Sequence, residues 1–236
     1  MNWTALIAGA VGLAIGGSAV ALSGAGSRRA EIEDVVRDYL LANPEIVTEA
    51  QVRLQDREVA KLVEANRALF ETPYAGAWAG AADGDVVLVE FFDYGCGYCR
   101  RSNADVDRLL AEDKKLKVVW REYPILSRDS LAAAELSLAA AEQGKFRPFF
   151  DGLFAQGRPT EPARAATQRS VGVAAPASDP RHRAEIEKNY ELARLIGASG
   201  TPAFVIGNQV LRGAVGYESL KAAITQSRSR KTTDRS

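Results

Sequence analysis

Apolar and polar positions alternate along this chain with more than one rhythm. From Ile32 the rhythm is helical: Ile32, Val35, Val36, Tyr39 and Leu40 fall three and four residues apart. Asn43-Pro44 interrupts it. Asn favours the cap and Pro the first position of a helix, so a second helix is predicted from there. Val47, Leu54, Leu62 and Leu69 carry its seam toward Phe70, with Glu49, Arg53, Asp56, Arg57, Glu58, Lys61 and Glu64 between them. Such a helix can pack on its own domain. It can also pair with a second copy of itself through the stripe, and its place ahead of a linker favours self-association of residues 30–70. Residues 28–72 are thus predicted as a helical, oligomerising segment.

The Gly, Ala and Pro of residues 73–85 read as a linker, with Asp83-Gly84 as a turn. Then the period changes. Val86–Phe92, "VVLVEFF", is apolar on both faces except at Glu90, as expected of a central parallel strand. A helix over Ser102–Ala111 and a strand over Leu116–Tyr123, closed by Pro124, follow. Residues 126–197 read as a helical insertion. "AFVIGNQVLRG" gives two short strands around Gly207-Asn208, and "YESLKAAITQS" a closing helix. Residues 227–236 are polar and predicted to be disordered. The order β-α-β, helical insertion, β-β-α predicts an α/β domain over residues 86–226.

Composition narrows the chemistry. Among 236 residues, Lys plus Arg and Asp plus Glu are 30 each, so nothing calls for nucleic acid. A single histidine, His182, leaves too few donors for most metal sites, and neither metal nor cofactor is expected. Residues 5–26, "ALIAGAVGLAIGGSAVALSGAG", carry no charge, and Arg28 and Arg29 follow. The segment 1–27 reads as a signal peptide, with Ala19-Val20-Ala21 as a cleavage site, or as an uncleaved membrane anchor. Its glycines speak against a buried soluble helix. Either export reading places the rest of the chain in the periplasm or another extracytoplasmic space, in the second case held to the inner membrane.

The only two cysteines, Cys96 and Cys99, stand one helical turn apart just past the buried strand. A bridge between them closes a loop too short to staple a fold strongly. A zinc half-site would need two further ligands, and an inert buried pair would have no reason for this spacing. A reversible dithiol fits best. If a helix starts at Cys96, its unpaired N–H groups and dipole favour a thiolate there. Cys96 is then the exposed nucleophile with a lowered pKa, and Cys99 the resolving thiol. Arg100 and Arg101 either add positive field or face water. Glu90 should have a raised pKa if buried and suits a proton acceptor for Cys99; otherwise it faces solvent at a strand edge. Asp93 reads as a solvated or capping residue. In Gly200-Thr201-Pro202-Ala203 the proline opens a strand. A cis Thr201–Pro202 bond would leave the Thr201 carbonyl and N–H free to pair with an extended substrate.

Three stretches, "VEFFDYGCGYCR", "REYPIL" and "GTPAFVIG", occur in this order with a helical insertion between. They resemble the DsbA-like branch of the thioredoxin superfamily over roughly residues 74–226. "IEDVVRDYLLANPEIVTEA" resembles the N-terminal helical region of Com1/ScsC-type members. The resemblance implies a thioredoxin fold with an inserted helical subdomain, preceded by an N-terminal helical segment. It implies an extracytoplasmic thiol–disulfide oxidoreductase, oxidase or isomerase, acting on exported cysteine-containing proteins and re-poised by a membrane or periplasmic redox partner. By motif position Cys96 is the nucleophile, Cys99 the resolving cysteine, Glu90 the buried acid, and Thr201 and cis-Pro202 the substrate-binding pair. Gly97-Tyr98 between the cysteines lacks the imidazole that DsbA itself carries there, which leaves the direction of exchange open. The alternative is a tethered or surface binding module that uses the fold as a scaffold without redox turnover. A glutathione-dependent transferase or peroxidase has no glutathione site to support it.

Overall fold

The computed structural model describes residues 28–174 and 179–233. The chain divides into two compact units after Gln55. The first holds a helix over 28–42 (α1) and the start of α2 (Glu45–Ala65). Asn43 turns back, its Nδ2 donating to the Tyr39 carbonyl at 2.9 Å, and so closes the first helix. The apolar stripe is solvent-facing: Ile32 is 63% and Val35 64% exposed. The signal or anchor reading falls on residues 1–27, outside the described residues. Among the described residues no helix is long and apolar enough to cross a membrane.

Among the described residues the second unit is built on a five-stranded sheet in the order β1 (Trp78–Gly80), β3 (Leu116–Glu122), β2 (Val86–Phe92), β4 (Ala203–Ile206) and β5 (Gln209–Arg212). Its centre is β2, buried at every residue. β2 runs parallel to β3 and antiparallel to β4, and β4 pairs with β5. Alternate residues of β2 enter two cores, because helices cover both faces. Val86, Leu88 and Phe92 pack with α4 (Gly97–Glu112), α5 (Arg128–Glu142), α6 (Phe146–Ala155) and α9 (Tyr217–Thr233). Val87, Val89 and Phe91 pack with Val59 and Val63 of α2, Phe70 of α3 (Arg67–Glu71) and Leu192 of α8 (Pro180–Leu195). Glu90 shares the parity of Leu88 and Phe92, so it faces the α4 side. The helical insertion is completed by α7 (Glu161–Val171).

Two expectations change. The stretch 73–85, expected as a linker, contains β1 (Trp78–Gly80), which pairs antiparallel with β3. Three residues including Gly80 are too few to show a period, and the strand exists through its partner. Residues 227–233, expected to be disordered, continue α9. Ser227 is buried, and Arg228 forms bonds of 2.7 Å to Asp85 and 2.9 Å to Asp113. Residues 234–236 lie outside the described residues.

One buried cation ties these layers together. Arg121 of β3 is 2% exposed and faces the α3–α8 side. Its guanidinium donates to the main-chain oxygens of Phe70 at 3.0 Å and Thr72 at 2.7 Å, and to that of Leu69. It also reaches Glu185 at 3.0 Å and Asn189 at 2.9 Å on α8. The open carbonyls at the end of α3 thus gain a charged donor.

Candidate functional site

The site forms where β2 hands the chain to α4. Cys96 is the N-cap of α4, with φ −85° and ψ 114°, and its amide donates to the Asp93 carbonyl at 2.9 Å. Its sulfur accepts from the Cys99 amide at 3.4 Å, one of the open donors of the first turn. As a thiol it donates to the Thr201 carbonyl at 3.2 Å. The Thr201–Pro202 bond is cis. The two cysteines are unlinked. Two expectations are revised here. Cys96 is only 5% exposed, because the loop before Pro202 covers it. The Thr201 carbonyl, expected to be free, accepts one hydrogen bond from the protonated Cys96 thiol.

The two thiols are driven apart in acidity. Hydrogen bonds to the sulfur hold the Cys96 pKa down to about 5: from the Cys99 thiol first, then the Thr201 hydroxyl and the Cys99 and Tyr98 amides. Partial desolvation opposes them. Cys99, with no exposed surface, is pushed far above the usual thiol range by burial, then by its bond to Cys96 and the charge of Glu90. Arg100 donates to the Gly157 carbonyl and Arg101 lies over the Tyr98 ring at 4.4 Å, so both guanidinium groups are engaged away from the sulfur.

Glu90 is fully buried at the centre of the sheet and not at an edge. Burial raises its pKa to about 8, with smaller contributions from Asp107 and Cys96, while the Trp120 N–H and the charge of Arg147 pull it down. Its Oε2 accepts from Trp120 Nε1 at 3.0 Å, and its Oε1 has no partner. Trp120 escaped the sequence reading. It stands opposite Glu90 in the parallel register of β2 and β3, which only a known pairing reveals.

Asp93 is buried and acts as a cap. Its Oδ1 accepts from the Gly95 amide at 2.6 Å and its Oδ2 from the Leu126 amide at 2.9 Å. It thereby binds the loop before Cys96 to the loop after β3. The rim beside the sulfur carries exposed apolar side chains: Tyr98, Ile125 and Leu126. Away from it, Glu142, Asp179 and His182 bring potential ligand atoms within 4.8 Å of one another, but Arg181 pairs with both carboxylates. Around Cys96 an anion, a neutral thiol in the same helical turn and a carboxyl that exchanges protons near neutral pH are gathered. That set can carry out thiol–disulfide exchange.

The chain is similar to a linker-deletion variant of ScsC from Proteus mirabilis, at 26% identity and TM-score 0.71 over 86% of this chain and 95% of that one. It is similar to a thioredoxin-like oxidoreductase from Silicibacter pomeroyi, at 36% identity and TM-score 0.63 over 69% and 96%. A periplasmic thioredoxin-like protein from Salmonella enterica serovar Typhimurium gives 25% identity and TM-score 0.65 over 69% and 95%. A curated relative, Na(+)/H(+) antiporter NhaA 3 of Salinispora tropica, is 31% identical over 153 residues, which are 61% of this chain and 24% of the antiporter. The chain thus spans about a quarter of the curated relatives it matches. Residues 29–61 match the copper resistance protein ScsC N-terminal domain. Residues 87–225, more than half of the chain, match the DSBA-like thioredoxin domain, and the chain belongs to that family.

Proposed function

We propose that the protein exchanges disulfides with exported, cysteine-containing proteins through Cys96 and Cys99. The observation that carries this reading is the placement of the two cysteines in one helical turn: Cys96 caps α4 with its sulfur accepting from the Cys99 amide at 3.4 Å and lying 3.2 Å from the carbonyl of the cis Thr201–Pro202 pair, while Cys99 is fully buried. The Cys96 thiolate attacks a client disulfide. One client sulfur joins Cys96 and the other leaves as a thiolate that takes a proton from water. Cys99 then gives its proton to Glu90 and attacks Cys96. The Cys96–Cys99 bond forms, and the client leaves reduced. The reverse sequence oxidises a client. In isomerisation a client thiol, not Cys99, resolves the mixed disulfide. Thr201 and Pro202 border the sulfur and supply main-chain groups for an extended client segment.

A stabilised Cys96 thiolate favours the dithiol form, which is the resting form an isomerase needs. The exposed stripe of α1 and early α2, from Ile32 to Leu54, suits pairing between copies. Several dithiols around one client would then promote reshuffling. The relative named periplasmic supports a periplasmic location, where a redox partner would set the ratio of dithiol to disulfide.

Trapping tests the reading. C99A should accumulate mixed disulfides with cysteine-bearing proteins, and C96A none. A C99A variant that traps nothing would point to a binding scaffold. A C96A variant that still restores activity to scrambled ribonuclease would overturn the role of Cys96.

A further inference from the structure

Trp120 is a large aromatic residue whose polar end has been given a carboxylate partner inside the core. Its ring is 3% exposed and clamped on several sides. Phe146 and Phe150 lie 5.6 and 5.3 Å from it, and the Arg147 guanidinium lies over it at 4.9 Å. Arg147 is itself fixed by Asp107 at 3.0 Å and Asp151 at 2.9 Å. So fixed, the indole presents its one donor, Nε1–H, to Glu90 Oε2 at 3.0 Å. The other oxygen, Oε1, is buried without a partner. The two oxygens of Glu90 are therefore unequal: one is held, the other is open.

We propose that Trp120 is a positioning residue for resolution of the mixed disulfide: its indole N–H fixes one oxygen of Glu90 and leaves the other to take the Cys99 proton. The inference rests on Glu90 being the acceptor for Cys99. The step balances within the site. The Cys99 S–H proton passes to Glu90 Oε1, the freed electron pair forms the bond to Cys96 Sγ, and the Cys96–client bond breaks with its pair going to the client sulfur. The N–H bond also stabilises the ionised carboxylate, which burial opposes. The ionisable groups acting on Glu90 are Cys96, Cys99 and Asp107 of the α4 region and Arg147 of α6. Phe204, its partner on β4, carries no charge.

W120F keeps an aromatic ring and removes the donor. The rate of resolution is read by rapid quench of a preformed mixed disulfide between Cys96 and a thionitrobenzoate group, as a function of pH. Without the N–H, the carboxylate is harder to form, so the profile of W120F should shift upward by about one pH unit. Resolution at pH 7 should fall about three- to tenfold. The Cys96 titration should stay in place, because that sulfur does not touch the indole. The decisive arm is the pair of double variants. If Trp120 acts through Glu90, then E90Q/W120F resolves as slowly as E90Q alone. A further slowing in the double variant, or an unshifted W120F profile, overturns the proposal while leaving Glu90 as acceptor. An E90Q that resolves at the normal rate instead removes the role of Glu90 and with it the inference. Should W120F fail to fold, a benzothienylalanine in place of Trp120, in a W3F/W78F background, swaps only N–H for sulfur in the same ring shape and is read in the same way.

Discussion

At the scale of single residues, the sulfur of Cys96 dictates how the protein responds to pH. Its folded pKa is lowered from 9.0 to about 5. A lowered pKa contributes stability that is complete above the unfolded value and is lost as pH falls through the folded one. Glu90 slopes the other way. Its pKa is raised from 4.5 to about 8, so the folded state holds a proton that the unfolded state releases between those values. Stability from that group falls as pH rises across the window. Comparing reduced wild type with C96S isolates the sulfur. The difference in their unfolding free energies should grow from about pH 5 to pH 9 and vanish below pH 5, as followed by urea unfolding. Thiolate absorbance near 240 nm should titrate with a midpoint near 5. A midpoint near 9 would contradict the site as described. E90Q leaves the nucleophile untouched, so it should slow resolution by about 10²-fold with little change in the first attack. Single-turnover kinetics separate the two. Both cysteines, Glu90 and the Thr201–Pro202 pair were legible in the sequence because each breaks a local pattern. Cys96 and Cys99 repeat at one helical turn, Glu90 interrupts an apolar run, and Pro202 opens a strand. Trp120 breaks none, since an aromatic residue in "KVVWRE" is ordinary strand sequence.

At the scale of elements, the sequence pattern carried the covered ones best. β2 reads as central because helices hide both of its faces, and the structure buries all seven of its residues. What went unread is what only a partner creates. β1 is a strand because β3 lies beside it, and the last turns of α9 hold because Ser227 is buried and Arg228 meets Asp85 and Asp113. No local period could announce either. The Arg121 hub belongs to the same class: one arginine in a strand gives no sign that five groups will converge on it. Replacing it leaves the buried Glu185 only its contact with Lys188 at 3.2 Å and several carbonyls without donors. R121M should therefore lower the stability of the reduced protein by about 3–5 kcal/mol in denaturant titrations. The absorbance titration of Cys96 should not move in the fraction that remains folded, because Arg121 faces away from the dithiol side.

At the scale of the whole molecule, the chain separates sulfur chemistry from the helical segment that precedes it. Everything bonded to Cys96 and Cys99 lies in the unit from Asp56 onward. The exposed apolar stripe runs mostly through the unit before it. If the stripe serves self-association, deletion of residues 1–55 should leave dithiol exchange with a small disulfide within about twofold. The same deletion should reduce the mass found by sedimentation to that of a single chain and weaken recovery of scrambled ribonuclease. An unchanged oligomeric state would assign the stripe another role.

The anchor that Arg121 provides for α3 has a consequence for sequence drift. It grips Leu69, Phe70 and Thr72 by their peptide oxygens and is blind to what those residues carry beyond Cα. The Leu69 side chain, half in water, can be exchanged for almost anything without loosening the grip. A single-residue deletion between Asn66 and Thr72 is a different matter, for it would slide every carbonyl out of reach at once. This joint should tolerate substitution freely at Leu69, far less at Phe70, whose ring is buried in the core, and length change hardly at all.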